Sequence, residues 1–314
     1  MGQGLSQTFP PAAKYSVDHI PDLSGKVMVV TGGNTGIGKE IVRALLIHNA
    51  KVYMASRNVA KGKAAIEELK KDTGKEALFL ELDLASLTSV RRAAAEFFEK
   101  EKELHTLFNN GGIMFLTETQ QSLSITEDGY DIQWGTNALG PFHLTQLLMP
   151  ALLAAARNSN TNARVIFTSS IALSQGINFD TLKDTPARKK IGASERYGQS
   201  KLANIILAQE IARRYGDKGL IGVSLDPGGT KTGLQQHLPV IYDIEIYHVF
   251  QNLMLHPPAN GALTSLFAGT SESTELNGKF LIPFARIGVA STAAQNPELG
   301  QRLWSYLEEE VKLK

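Results

Sequence analysis

Directly after the apolar run KVMVV (26–30), the chain reads TGGNTGIG and then falls into helical periodicity with GIGKEIVRALLIHN. A short valine-rich run bounded by Gly25 and Gly32 has the pattern of a buried strand. The order is therefore strand, glycine turn, helix. Glycines at 32, 33, 36 and 38 permit a tight turn and let backbone N–H groups approach an anion at the helix N-terminus. Their spacing is G-x-x-x-G-x-G rather than the more general G-x-G-x-x-G. Such a turn is weak evidence alone and strong evidence between a first strand and a first helix.

The cycle repeats along the chain. Strand KVYMAS (51–56) leads to a helix over about 59–71, ALFLEL (77–82) to a helix over 86–100, and LHTLFN (104–109) to two helical stretches flanking Pro141. RVIFTSS (164–170), LIGVSL (220–225) and GKFLIP (278–283) complete the strands, and PELGQRLWSYLEEEVKL closes the chain as a helix. About seven short strands alternating with helices predict an α/β fold, one doubly wound parallel sheet with helices on both faces. Residues 26–314 read as a single domain behind an N-terminal arm, 1–25.

Composition narrows the chemistry. The 314 residues are 43% hydrophobic and 20% charged with net charge +1, which gives no electrostatic case for nucleic acid or an anionic membrane. With no cysteine, disulfides, thiolate catalysis and Cys-ligated zinc are excluded, and the seven histidines lack a paired spacing, so no metal site is expected. The stretch FHLTQLLMPALLAAA is too short and too interrupted by polar residues and Pro150 for a membrane span. The opening MGQGLS fits the M-G-x-x-x-[ST] acylation pattern with Gly2 as acceptor, and equally fits a mobile arm. The expected location is cytoplasmic, with weak reversible membrane association if Gly2 carries a lipid.

Ligands of such sheets bind beyond the carboxyl ends of the strands, so chemistry should cluster there. NNGGIM after the fourth strand lines a cofactor groove or forms an ordinary turn, and Ser169 and Ser170 after the fifth donate to a substrate oxygen or cap the chain exit. Asn137, a poor helix former within a helical stretch, has a hydrogen-bonding task or caps a kink ahead of Gly140-Pro141. In RYGQSKLANIILAQEIARRY, Tyr197 and Lys201 share one helix face. An ammonium ~4 Å from a phenol at an effective dielectric of ~20 contributes ~4 kcal/mol, enough to lower its pKa by two to three units. The same spacing arises by chance about once in two such chains, so the pair alone decides nothing.

Together these residues resemble the short-chain dehydrogenase/reductase family over about 25–283. The matches are TGxxxGIG at 31–38, NNxG at 109–112, Asn137, Ser170, YxxxK at 197–201 and PGxxxT at 227–232. KVYMASRN, DLAS, NNGGIM and SKLAN look closest to the retinol-dehydrogenase-like branch and its fungal relatives. The resemblance implies a Rossmann-type domain, with Tyr197 as general acid/base and Lys201 lowering its pKa while binding the nicotinamide ribose. Ser170 would hold the substrate carbonyl, and Asn137 would fix a water linking Lys201 to solvent. It also implies cofactor contacts from Gly32, Asn34, Thr35, Gly36, Ile37 and Gly38 in the first turn. Further contacts would come from Asn58, Asp83 (beside the adenine), Leu84, Asn110, Gly111, Gly112, Pro227, Gly228, Thr230 and Thr232 (at the carboxamide).

Two departures matter. Gly111 stands where the family usually has alanine and should loosen that turn, and QGINFDTLKDTPARKKIGAS is an insertion expected to be a polar surface excursion open to proteolysis. At the end of the second strand, SRN replaces the acidic residue of NAD-selective sheets. Arg57 there, with Lys39 nearby, fits the 2′-phosphate of NADP(H).

The implied activity is NADP(H)-dependent hydride transfer between nicotinamide and a small apolar aldehyde, ketone or alcohol. The alternatives are a non-catalytic cofactor-sensing scaffold and a sugar-nucleotide epimerase or dehydratase. The apolar segment 231–262 reads as a mobile substrate wall, or else as core or a homo-oligomer interface; His237, His248 and His256 within it read as rim or surface.

Overall fold

The structure is a computed structural model and describes residues 2–115, 117–158, 162–231 and 255–312. Its first half runs α1 (Gly2–Thr8), β1 (Val27–Thr31), α2 (Gly36–Ile47), β2 (Lys51–Ser56), α3 (Val59–Thr73), β3 (Leu78–Glu81) and α4 (Leu87–Lys100). Next come β4 (Thr106–Asn109), α5 (Gln120–Leu123), α6 (Ile132–Trp134), α7 (Gly140–Asn158), β5 (Ala163–Thr168) and α8 (Ala193–Tyr215). The chain ends with β6 (Leu220–Leu225), α9 (Pro258–Thr270), β7 (Phe280–Ile282), β8 (Arg286–Gly288) and α10 (Pro297–Lys312).

The strands form one sheet in the order β3-β2-β1-β4-β5-β6-β7-β8. It is parallel through β7, and β8 adds an antiparallel edge. The pleat sends successive side chains to opposite faces. Val27 and Val29 accordingly enter the core beneath α4, α7, α8 and α10, while Met28 and Val30 enter the core beneath α2, α3 and α9. The strand order reverses between β1 and β4, which places a crevice at their carboxyl ends.

Local sequence explains the boundaries. Asn58 caps α3 by accepting from the Lys61 N–H at 2.9 Å, and Gly74 ends that helix at φ 70°. The apolar stretch Ile132–Asn158 is long and apolar enough to cross a membrane, but 72% of its most apolar window is buried within the fold. It serves as a core helix, interrupted by a π-helical turn at Gly135–Leu139.

Three elements depart from the sequence reading. The short β8 and the glycine-containing α9 carry too little periodicity to be seen, so Pro258–Ala262 of the expected substrate wall is the start of a helix against α2. Residues 232–254 of that wall, with Thr232, His237 and His248, lie outside the described residues. The arm is also docked: α1 lies on the β7–β8 hairpin, with Gln3 bonded both ways to Val289, and Ile20 and Leu23 belong to the core.

Candidate active site

Close packing shapes the first turn. A Cβ on Gly38 would stand 2.2 Å from the Gly32 carbonyl oxygen, and Gly32 and Gly36 adopt φ of 65° and 53°. The turn after β4 is tied to β1, since Asn110 Nδ2 donates to the Thr31 carbonyl at 3.0 Å and the Gly111 N–H donates to Thr31 Oγ1 at 2.8 Å. Glycine at 111 therefore does not loosen this turn. A Cβ there would lie 3.0 Å from Leu84 Cδ1 and 3.2 Å from the Gly32 nitrogen, so its absence lets the two turns approach.

Gly32, Asn34, Thr35, Arg57, Asn58, Asp83, Leu84, Gly111 and Gly112 line one cavity of about 330 Å³. Gly36 and Gly38 shape its rim, Ile37 packs beneath it against Gly261, and Asn110 is committed to Thr31. Pro227, Gly228 and Thr230 belong to a separate turn after β6, where Thr230 Oγ1 donates to the Gly228 carbonyl at 3.2 Å. His256 is a framework residue: its backbone pairs with Gly229 and Lys231, and its ring packs edge-on to Phe284 at 5.1 Å.

Arg57 is exposed, and among the described residues no hydrogen bond or ion pair engages its guanidinium. Lys39 Nζ is paired with the exposed Glu68 at 2.5 Å. Lys61, one turn into α3 and among the cations the sequence gathers around Arg57, lines the same cavity.

The side chains that the sequence marks as candidate reacting groups come together at the carboxyl end of β5. The start of α8 carries Tyr197 and Lys201 on one buried face. Ser170 lies near enough to the Tyr197 hydroxyl to favour its ionised form, and Ser170 Oγ accepts from the Ala172 N–H at 3.1 Å. Ser169 is committed elsewhere, donating to the Lys201 carbonyl at 2.7 Å, so the two serines have distinct roles. Lys201 Nζ donates to the Thr168 carbonyl at 3.1 Å and lies 5.7 Å from the Tyr197 ring centre. Asn137, 1% exposed in the π-helical turn, accepts from the Ile113 N–H at 2.8 Å and donates to the Ile113 carbonyl and Ser200. It clasps the loop after β4 to α8 rather than capping a kink, and a π-bulge is a common way to aim a side chain at a site.

The expected lowering of the phenol is reversed in this geometry. Burial pushes Tyr197 up to about 12, Ser170 partly offsets that, and the Asp226 charge adds to it. Burial lowers Lys201 to about 8. Desolvation of both groups outweighs their attraction because the ammonium turns to Thr168.

The insertion supplies a support that polarity alone conceals. Arg188 is 2% exposed, donating to Asp131 Oδ2 at 2.8 Å and to the Leu123 and Ser124 carbonyls at 2.9 Å each. Asp131 also caps α6 and pairs with Arg196, the residue before Tyr197, which itself reaches Glu118. Residues 175–194 are thus anchored through Arg188 and are not a loose excursion. A carboxylate and two arginines spread over 131–196 leave no local spacing to reveal the cluster.

The chain belongs to the short-chain dehydrogenase family, whose sequence model, described as "short chain dehydrogenase", matches residues 26–182. It is 52% identical to a short-chain dehydrogenase/reductase of Armillaria gallica over 309 residues, 98% of this chain and 97% of that one. An uncharacterized protein of Mycobacterium paratuberculosis has a solved structure with TM-score 0.72 and 28% identity, covering 96% of this chain and 98% of its own. The NADP complex of Pseudomonas aeruginosa RhlG shares the fold at TM-score 0.66 and 24% identity, covering 83% of this chain and 95% of that one.

Proposed function

We propose that this oxidoreductase uses NADP(H) to interconvert an apolar aldehyde or ketone and its alcohol. The observation that carries the reading is the buried pair Tyr197 and Lys201 on one face of α8, with Ser170 next to the phenol, at the end of the strand beside the 330 Å³ cavity. The crowded glycine turns and the uncommitted Arg57 fit a phosphorylated dinucleotide, which when bound supplies the hydride. Arg57 and Lys61 would hold its 2′-phosphate, the turns at 32–38 and 111–112 its backbone, and Lys201 its nicotinamide ribose. The NADP complex of a protein with the same fold supports the choice of cofactor.

In reduction, Ser170 orients the carbonyl and Tyr197 donates the proton that turns the developing alkoxide into alcohol. A phenol held near 12 keeps its proton at neutral pH, which suits this direction. Half-buried Ile113 and Met114 follow the Gly111–Gly112 turn, and Ile171, 48% exposed, follows Ser170, so apolar side chains flank the reacting groups. The likeness to the retinol-dehydrogenase-like branch agrees with an apolar substrate.

The test is NADPH consumption by the purified protein against matched apolar and hydrophilic carbonyls, for wild type and Tyr197→Phe. Apolar substrates should show the higher kcat/KM, and the variant should lose at least ~10²-fold in kcat, the scale of general acid catalysis. Near wild-type turnover by Tyr197→Phe would sink the mechanism, and no turnover by wild type would favour a cofactor-sensing scaffold.

A further inference from the structure

The carboxylate of Asp226 stands where three separate segments meet. It closes the six-residue strand β6 and is 3% exposed. Its Oδ1 accepts from the Gly228 N–H at 3.0 Å, which fixes the turn after β6. The Ile171 backbone, next in the chain to Ser170, also faces it closely enough to favour the charged carboxylate. A side-chain donor comes from the far end of the chain: Gln7 Nε2, the one buried residue of α1, donates to Oδ2 at 2.9 Å. The carboxylate also acts on the Tyr197 hydroxyl, whose proton it helps to retain.

A carboxylate out of water is costly unless its oxygens are matched by donors. The Gly228 N–H supplies one and the Ile171 backbone faces it, and among the described residues Gln7 is the one side chain that donates to it. The helix bearing Gln7 is itself held in place, since Arg286 donates to Ser6 Oγ at 2.6 Å and to the Ser6 carbonyl at 2.7 Å. Seven helical residues at the N-terminus thus deliver one amide to the interior beside the reacting centre.

We propose that Gln7 and Asp226 are positioning residues of the reaction: through this buried pair the N-terminal helix holds the Ser170 loop and the Gly228 turn in register around Tyr197. The inference rests on the reading of Tyr197 and Ser170 as the reacting pair. It makes the arm a working part of the active site rather than a leader to the domain.

The test is a double-mutant cycle in the full chain. Gln7→Leu keeps the side chain's bulk and removes the donor. Its kcat for carbonyl reduction should fall roughly tenfold, the effect of losing one hydrogen bond to a charged group, while the NADPH Kd stays within about twofold. Asp226→Asn keeps the shape and one acceptor oxygen. On that background Gln7→Leu should cost little more, because its effect runs through the carboxylate. Additive losses, or a lowered Tm with unchanged kcat, would overturn the proposal and leave Gln7 as a docking contact only.

Hydrogen exchange of the same variants supplies a readout independent of turnover. In Gln7→Leu, peptides spanning 169–174 and 225–231 should exchange faster while those of β1 and α2 do not. Unchanged exchange in both peptides would refute the coupling. If Tyr197→Phe retained turnover, the proposed acid/base role would fail, and the exchange result would still decide whether Gln7 holds the two loops.

Discussion

Replacing Arg57 by aspartate should reverse the cofactor preference. Arg57 sits at the carboxyl end of β2, lines the cofactor cavity, and has no engaged partner among the described residues. A guanidinium hydrogen-bonded to a phosphate is worth ~1.5–3 kcal/mol. Because Arg57 is exposed, screening argues for the lower end, so wild type should favour NADPH over NADH by about tenfold. An aspartate removes that attraction. It also places a negative charge ~6 Å from the phosphate, and at a water-like dielectric this costs ~0.7 kcal/mol for each phosphate charge. With ~2 charges on the phosphate the repulsion adds about another tenfold, so the NADPH/NADH ratio of kcat/KM should swing by ~10² overall. The assay is the ratio of kcat/KM for the two cofactors with one saturating carbonyl, at low and high salt. The wild-type preference should shrink as salt rises. Equal values for the two cofactors in wild type, or an unchanged ratio in Arg57→Asp, would refute the assignment.

Other outcomes follow from the same geometry. The pH profile of kcat/KM for reduction should fall with unit slope above about pH 8, where the buried Lys201 loses its proton, while the phenol near 12 stays protonated throughout. A profile flat to pH 10 would contradict a required ammonium. Between about 8 and the ordinary 10.5 the unfolded lysine binds more protons than the native one, so Lys201 contributes more to stability as pH rises. Arg188→Ala leaves Asp131 buried with fewer donors and should destabilise the fold by ~3–5 kcal/mol, read as the urea midpoint at constant m. Limited proteolysis of wild type should spare the Arg188 region, and preferred nicking there would show that the anchor does not hold.

What the sequence revealed depended on whether a feature was local. Strand–turn–helix alternation placed the parallel strands because each is a short apolar run beside a glycine or a polar turn, and β1 differs from its expected bounds by one residue at each end. β8 escaped because three residues, RIG, hold no period. α9 escaped because Pro257, Pro258 and Gly261 mask a helix whose glycine faces Ile37. The site shows the same divide. Tyr197 and Lys201 lie one turn apart and were legible, whereas Asp226 and Gln7 are 219 positions apart and meet only through the fold. A carboxylate directly after a strand in the LDPGG turn was the one local sign of Asp226, and nothing near Gln7 announces its partner.

The opposed shifts of Tyr197 and Lys201 revise the simple picture of an ammonium that creates a phenolate. At ~4 Å the attraction would be ~4 kcal/mol, whereas Lys201 Nζ lies 5.7 Å from the Tyr197 ring centre. Lys201 Nζ is turned to the Thr168 carbonyl, and both side chains are nearly excluded from water. Desolvation disfavours each charged form, so it raises the phenol and lowers the ammonium. Asp226 acts in the same direction on the phenol, while the nearby Ser170 acts against it. The resulting site stores its proton on Tyr197 across the neutral range, and a carbonyl oxygen gaining negative charge beside Ser170 would find a donor already loaded. A proton held on Tyr197 across the neutral range suits carbonyl reduction, the direction proposed above.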